Sequence, residues 1–201
     1  VKEYGEAGRL GSAIMKLSFQ RCAERRDVRE HPRPTFLFSD EAHLYMSQTD
    51  QLFQTTARSQ RVCTVYLFQN VDTLIASMGG SWTVRHLANS MLGNLATTVF
   101  HANSSAETNQ WASERIGSTL RWLTGGSTAN AAAPYGQAQA TANVSESFLA
   151  QVFPVEFQAL RSGGDEHDRW VDAIVTQQGR TFANGLNHTR CSFRQKERTA
   201  P

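Results

Sequence analysis

Thr35-Phe36-Leu37-Phe38-Ser39-Asp40-Glu41 decides the fold: a short apolar run with no polar alternation, stopped abruptly by two carboxylates. A strand with one face in water alternates apolar and polar residues, whereas an unbroken run suits a strand covered on both faces, as in a parallel sheet. Upstream, His31-Pro32-Arg33-Pro34 cannot continue a helix, because proline lacks the amide proton and pushes the preceding residue out of the helical region. That segment closes a helix predicted over about Leu10 to Arg26, where Leu10, Ala13, Ile14, Leu17 and Cys22 recur at roughly helical spacing as an apolar face.

Downstream the pattern repeats. Val62 to Phe68 is a second apolar run ending in Gln69-Asn70, and Leu95 to Phe100 is a third. Helical segments are predicted between them, at about Thr49 to Ala57 and Val84 to Leu92. A further helix is predicted after the third run, through Trp111 and Ile116 to Gly117, with Ser104 and Glu107 at capping-box spacing. Three rounds of strand and helix predict a βαβ crossover sheet, mostly parallel and flanked by helices.

From Thr124 to Ser147 the composition turns to Ala, Gly, Ser, Thr, Asn and Gln, too poor in large apolar groups to offset ordering entropy. The expected organisation is therefore an α/β core over 1–123, a flexible loop or linker over 124–147, and a tail over 148–201. In the tail, a short helix near Ser147 to Ala150 is expected, then strands at about Trp170 to Thr176 and Thr189 to Gln195, with Gly179 in a turn.

Bulk numbers exclude several functions. Twenty Lys plus Arg against eighteen Asp plus Glu leave a net charge of +2, so any nucleic-acid contact must be local. Cys22, Cys63 and Cys191 have neither metal-ligand nor redox-motif spacing, and the six histidines are scattered, so no zinc site is expected. No stretch reaches the roughly 18 to 20 apolar residues that cross a bilayer, and a soluble segment is expected, with upstream membrane spans left open.

An apolar strand that ends in Asp-Glu at its carboxyl end matches what nucleotide hydrolysis needs, since ligands of open α/β sheets bind at that edge. Asp40 would help hold a magnesium ion bridging the terminal phosphates, and Glu41 would polarise the attacking water. Gln69, ending the second run, would emerge at the same edge and could orient that water. Arg58, closing the helix between the two strands, is a candidate arginine finger for a neighbouring subunit. Blander readings exist for each: acids opening a helix, a surface amide, and solvated cations at a helix C-terminus.

The blocks Phe36 to His43, Leu52 to Arg58 and Val65 to Asn70, followed by Leu92 to Thr97, Phe100 to Asn103 and Thr108 to Ala112, together resemble the second half of the motor domain of TraD/TraG-type coupling ATPases. The resemblance spans about residues 1 to 118 well and the tail loosely. It implies a RecA-like P-loop motor, hexameric when full-length, on the cytoplasmic face of the bacterial inner membrane. It also implies movement of single-stranded DNA in conjugation and contact with the relaxosome accessory protein, the relaxase and the type IV secretion channel. On the family pattern Asp40 and Glu41 match the metal-binding and water-activating acids, Arg58 the trans-acting arginine, and Gln69 the sensor glutamine.

One departure is large. No Gly-x-x-x-x-Gly-Lys-Ser/Thr loop occurs in the 201 residues. ATP and magnesium are thus expected in the complete motor, while this chain alone is expected to bind no cofactor. Two rival readings stand beside the motor. Asp40-Glu41-Ala42-His43 spells the box of DEAH helicases, although the Ser/Thr-Ala-Thr triplet of that class is missing; alternatively a RecA-like half serves only as a non-catalytic partner-binding module.

Overall fold

The structure is a computed structural model and describes residues 4–129 and 139–196. It opens with helix α1, Gly5–Arg25. Strand β1, Thr35–Ser39, leads through a short 3-10 turn at Ala42–Leu44 into helix α2, Gln48–Ala57, which returns the chain to strand β2, Val62–Tyr66. β1 and β2 pair in parallel, Thr35 opposite Val62 and Ser39 opposite Tyr66, the crossover the apolar runs predict.

Asn70 caps the next helix, α3 (Val71–Ser77), by accepting from the Thr73 amide at 2.7 Å; this helix was not predicted. Helix α4, Trp82–Gly93, begins at Ser81, which caps it through the Val84 amide, and strand β3 follows at Thr97–His101. Helix α5 spans Ala106–Ile116 and is capped by Ser105, not by a box between Ser104 and Glu107; Glu107 is spent instead on an ion pair with Arg85.

β3 departs from the predicted arrangement. It makes no ladder with β2 but pairs antiparallel with strand β6, Trp170–Gln177, which in turn pairs antiparallel with β7, His188–Arg194. The parallel component is therefore a single pair, and the fold is mixed α/β with small sheets. β3 is exposed at alternate positions, the signature of a strand with one face covered, which is how an antiparallel partner can hold it.

Between these lies the second departure. Strands β4, Ser118–Ala129, and β5, Gln139–Ala150, form an antiparallel hairpin whose register runs from Ser118 opposite Ala150 to Ala129 opposite Gln139. It occupies the described part of the stretch read as a flexible loop, and residues 147–150, read as helical, are strand; residues 130–138 lie outside the described residues. A ladder of this kind is held by backbone amides and carbonyls, which Gly and Ala supply as well as any residue. A short helix α6, Pro154–Gln158, with proline in its first turn, connects the hairpin toward β6.

Three apolar clusters hold these elements. Ala42, Met46, Val71, Leu74, Ile75, Ala88, Met91 and Leu92 join the 3-10 turn to α3 and α4. Phe100, Ile116, Val152, Phe157 and Ile174 join β3, α5, α6 and β6, with the Phe100 ring edge-on to Trp111 and Phe157 at 5.7 and 5.6 Å between centroids. A smaller cluster, Ala23, Phe53, Ala57 and Val62, seats α1 on α2 and β2.

α1 itself corrects the sequence. Its buried residues are Lys16, Gln20 and Ala23, while Leu10 and Ile14 of the predicted apolar face are exposed. The helix is held by polar bonds: Lys16 Nζ donates to the Tyr45 carbonyl at 2.7 Å and pairs with the Asp50 carboxylate, and Gln20 Nε2 donates to Asp50 Oδ1 at 2.9 Å. β1 corrects it too, since Phe36 and Phe38 lie 57% and 69% exposed on one face that the described residues leave bare.

Candidate functional site

Because β1 and β2 run parallel in matched register, the residues that follow them leave at one edge of the pair. Two backbone bonds lock this edge: the Leu67 amide donates to Ser39 O and the Ala42 amide donates to Leu67 O, both at 2.9 Å. Asp40 and Glu41 sit between those bonds, and Gln69 lies two residues beyond Leu67, so all three residues follow the strand pair at one edge.

Asp40 is exposed and Glu41 half-buried. Asp40 Oδ1 accepts from the Glu41 amide at 2.9 Å, and Tyr45 OH donates to the Asp40 carbonyl at 2.8 Å. Glu41 takes the left-handed conformation, φ 49° and ψ 41°, which for a residue with a Cβ costs about 1–2 kcal/mol. The locked turn imposes that geometry. His43 is buried, and its Nδ1 lies 3.5 Å from Glu41 Oε2 in poor hydrogen-bonding geometry, which leaves the ring nitrogen without a hydrogen-bond partner among the described residues.

Behind the edge lies a polar layer that sequence reasoning missed. The buried Asp50 carboxylate accepts from Gln20, from Tyr66 OH at 3.2 Å and from the Ser47 amide at 2.9 Å, besides its ion pair with Lys16. Burial first, and the Asp50 charge second, push the Tyr66 phenol far above its ordinary range; burial likewise raises Tyr45. Both phenols therefore stay protonated donors. Through Tyr45, whose carbonyl takes Lys16 and whose hydroxyl holds Asp40, this layer is tied to the acidic turn.

Asn103 is the other residue missed. It follows β3 and donates its side-chain amide to the Gln69 carbonyl at 2.7 Å, fastening the end of β3 to the end of β2 although no ladder joins those strands. The only sequence signal is a faint one: Asn103 follows the third apolar run three residues after Phe100, where Asp40 and Gln69 directly follow the first two.

Arg58 is not brought to this edge. It caps the C-terminus of α2, which runs back toward the start of β2, and Val62 pairs with Thr35, the first residue of β1. Four strand steps, about 13 Å, separate the two edges. Arg58 is exposed and, among the described residues, makes no ion pair. No described group of three or more His, Cys, Asp or Glu residues could hold a metal ion alone. No described helix is long and apolar enough to cross a membrane.

The family model described as the TraM recognition site of TraD and TraG matches residues 34–152, over half of the chain and the whole of the edge just described. No curated protein matches in sequence. Among solved structures, the chain is similar to the bacterial conjugative coupling protein TrwBdeltaN70 in its unbound monoclinic form, with a TM-score of 0.53 and 15% identity. The match covers 82% of this chain and 33% of that one, so this chain spans about a third of its structural relative and shares its fold.

Proposed function

The chain belongs to the TraG-D_C family, the TraM recognition site of TraD and TraG, and from that membership we propose that it is the C-terminal portion of an ATP-driven, DNA-translocating coupling protein of conjugation. The observation that carries the reading is the edge shared by Asp40, Glu41 and Gln69 beside a parallel strand pair. Magnesium commonly takes one or two protein carboxylates and completes its shell with phosphate oxygens and water, so one exposed carboxylate at Asp40 fits it. Bound with ATP, the ion would neutralise charge developing on the terminal phosphates.

In this reading Asp40 holds the ion, Glu41 draws a proton from the attacking water, and Gln69 orients that water. The position of Arg58 at the opposite edge suits action on a neighbouring subunit's nucleotide, as a homo-hexamer of the complete motor would allow. Single-stranded DNA is the moved substrate, and the relaxosome accessory protein, the relaxase and the secretion channel are the partners. The site of action is the cytoplasmic face of the inner membrane. Without a phosphate-binding loop, this chain alone binds no ATP.

The test is Glu41→Gln in the full-length protein. Nucleotide binding is expected to persist and steady-state hydrolysis to fall at least a hundredfold, as loss of a general base does. Unchanged turnover would remove Glu41 from the chemistry and favour the non-catalytic module. The DEAH-helicase alternative gains nothing from the comparisons.

A further inference from the structure

α3, α4 and α5 line an open cavity of about 210 Å³, which begins at Val71, two residues beyond Gln69. Its floor is apolar: Val71 and Ile75 are buried and Trp111 is half-buried. Its rim is charged, with Glu107, Glu114 and Arg85. Arg85 is already spent on Glu107. Among the described residues Glu114 receives only the neutral Gln110 amide, at 2.8 Å, so the rim they form keeps one carboxylate charge in excess. Arg115, over the Trp111 ring, does not line the cavity and is committed to Thr98 and to the Leu95 carbonyl.

Pockets for whole small molecules run from about 300 Å³ upward. This one is the size of a single long side chain. An apolar floor under an acidic rim matches a chain with a methylene stem and a cationic head, since Lys and Arg bury their stems while holding the charge at a polar mouth. Every lining residue, from Val71 to Glu114, falls inside the segment matched to the TraM recognition site.

We propose that this cavity receives a lysine or arginine side chain of the relaxosome accessory protein, with Glu114 as its counter-charge. The inference rests on the reading that the chain recognises such a protein. An anchoring side chain seated in a pocket at the centre of an interface is where binding energy concentrates, and arginine is prominent among such anchors.

The test uses the full-length protein and the purified TraM-type accessory protein of the same conjugative element. Affinity is measured for the wild type, for Glu114→Lys, and for Glu24→Lys as an exposed charge reversal on α1. In parallel, a photo-crosslinking amino acid replaces Asn89 at the cavity mouth, and the captured partner residues are mapped. The expected result is at least a tenfold weaker Kd for Glu114→Lys, no more than a twofold change for Glu24→Lys, and crosslinks beside a Lys or Arg. Wild-type binding with Glu114→Lys within twofold and no crosslink from position 89 overturns the cavity assignment while leaving partner recognition standing. No binding by the wild type overturns recognition, and this proposal with it.

Discussion

Replacing Lys16 by Met should be among the most damaging single changes in the chain, although a lysine on a helix ordinarily tolerates substitution. Lys16 and Asp50 are buried, with side chains 3% and 0% exposed, and among the described residues the ammonium is the only opposite charge facing that carboxylate. Met keeps the length of the stem, and volume-conserving exchanges of this kind cost less than about 1.5 kcal/mol. The remainder is electrostatic. Asp50 would keep its bonds from Gln20, Tyr66 and the Ser47 amide but lose its compensation, and breaking one side of a buried pair costs about 3–5 kcal/mol.

Against a total stability of about 5–15 kcal/mol that is a large share. With an m-value of about 2 kcal/mol/M, the urea midpoint followed by circular dichroism should fall by about 1.5–2.5 M. Adding Asp50→Asn removes the orphaned charge while an amide oxygen still accepts from Gln20 and Tyr66, so the double variant should recover at least half of the loss. A midpoint shift under about 0.5 M for Lys16→Met, or a double variant no better than the single, would refute the reasoning.

Three further outcomes follow from the second sheet and its pairings. Arg161 holds Asp172 through two bonds, at 2.8 and 2.7 Å, and Ser192 adds a third at 2.7 Å; these hold the carboxyl well below the usual carboxylate range. A depressed folded pKa adds stability that is complete above the unfolded value of about 4 and fades as pH falls below it. The urea-midpoint gap between wild type and Asp172→Asn should accordingly stay constant from pH 8 to 5 and narrow under pH 4. Deleting everything after Phe153 removes β6, the only described strand laddered to β3, and should abolish the cooperative thermal transition; a retained transition would show the preceding residues to be self-sufficient. Phe157→Ala empties a site 1% exposed at the centre of the second cluster and should cost about 3–5 kcal/mol in the same urea assay.

What the sequence could announce was whatever depends on neighbours along the chain. The runs ending at Ser39 and Phe68, the prolines before Thr35 and the acids after Ser39 are local, and they predicted the parallel pair. Partnership is not local. Nothing local marks Lys16 as buried, because Asp50, which makes its burial tolerable, lies 34 residues away. β3 read as a third parallel strand because its residues do not name their partner; Phe100 meets Ile174 only after the chain has passed through the hairpin, α6 and the Asp165–His167 turn. The segment from Thr124 read as a loop because side-chain content was weighed, whereas the ladder from Ser118 to Ala129 is a property of the backbone. The bare Phe36 and Phe38 carry the opposite lesson: their run asks for cover on both faces, and the described residues provide it on one. An apolar run thus reports the burial a strand requires, which the described residues need not meet. The tail over 148–201 supplies β6 as the partner of β3 and β7 as the partner of β6, and through Asn103 the end of β3 steadies the backbone of Gln69. The residues furthest from the candidate edge in sequence therefore help to hold it.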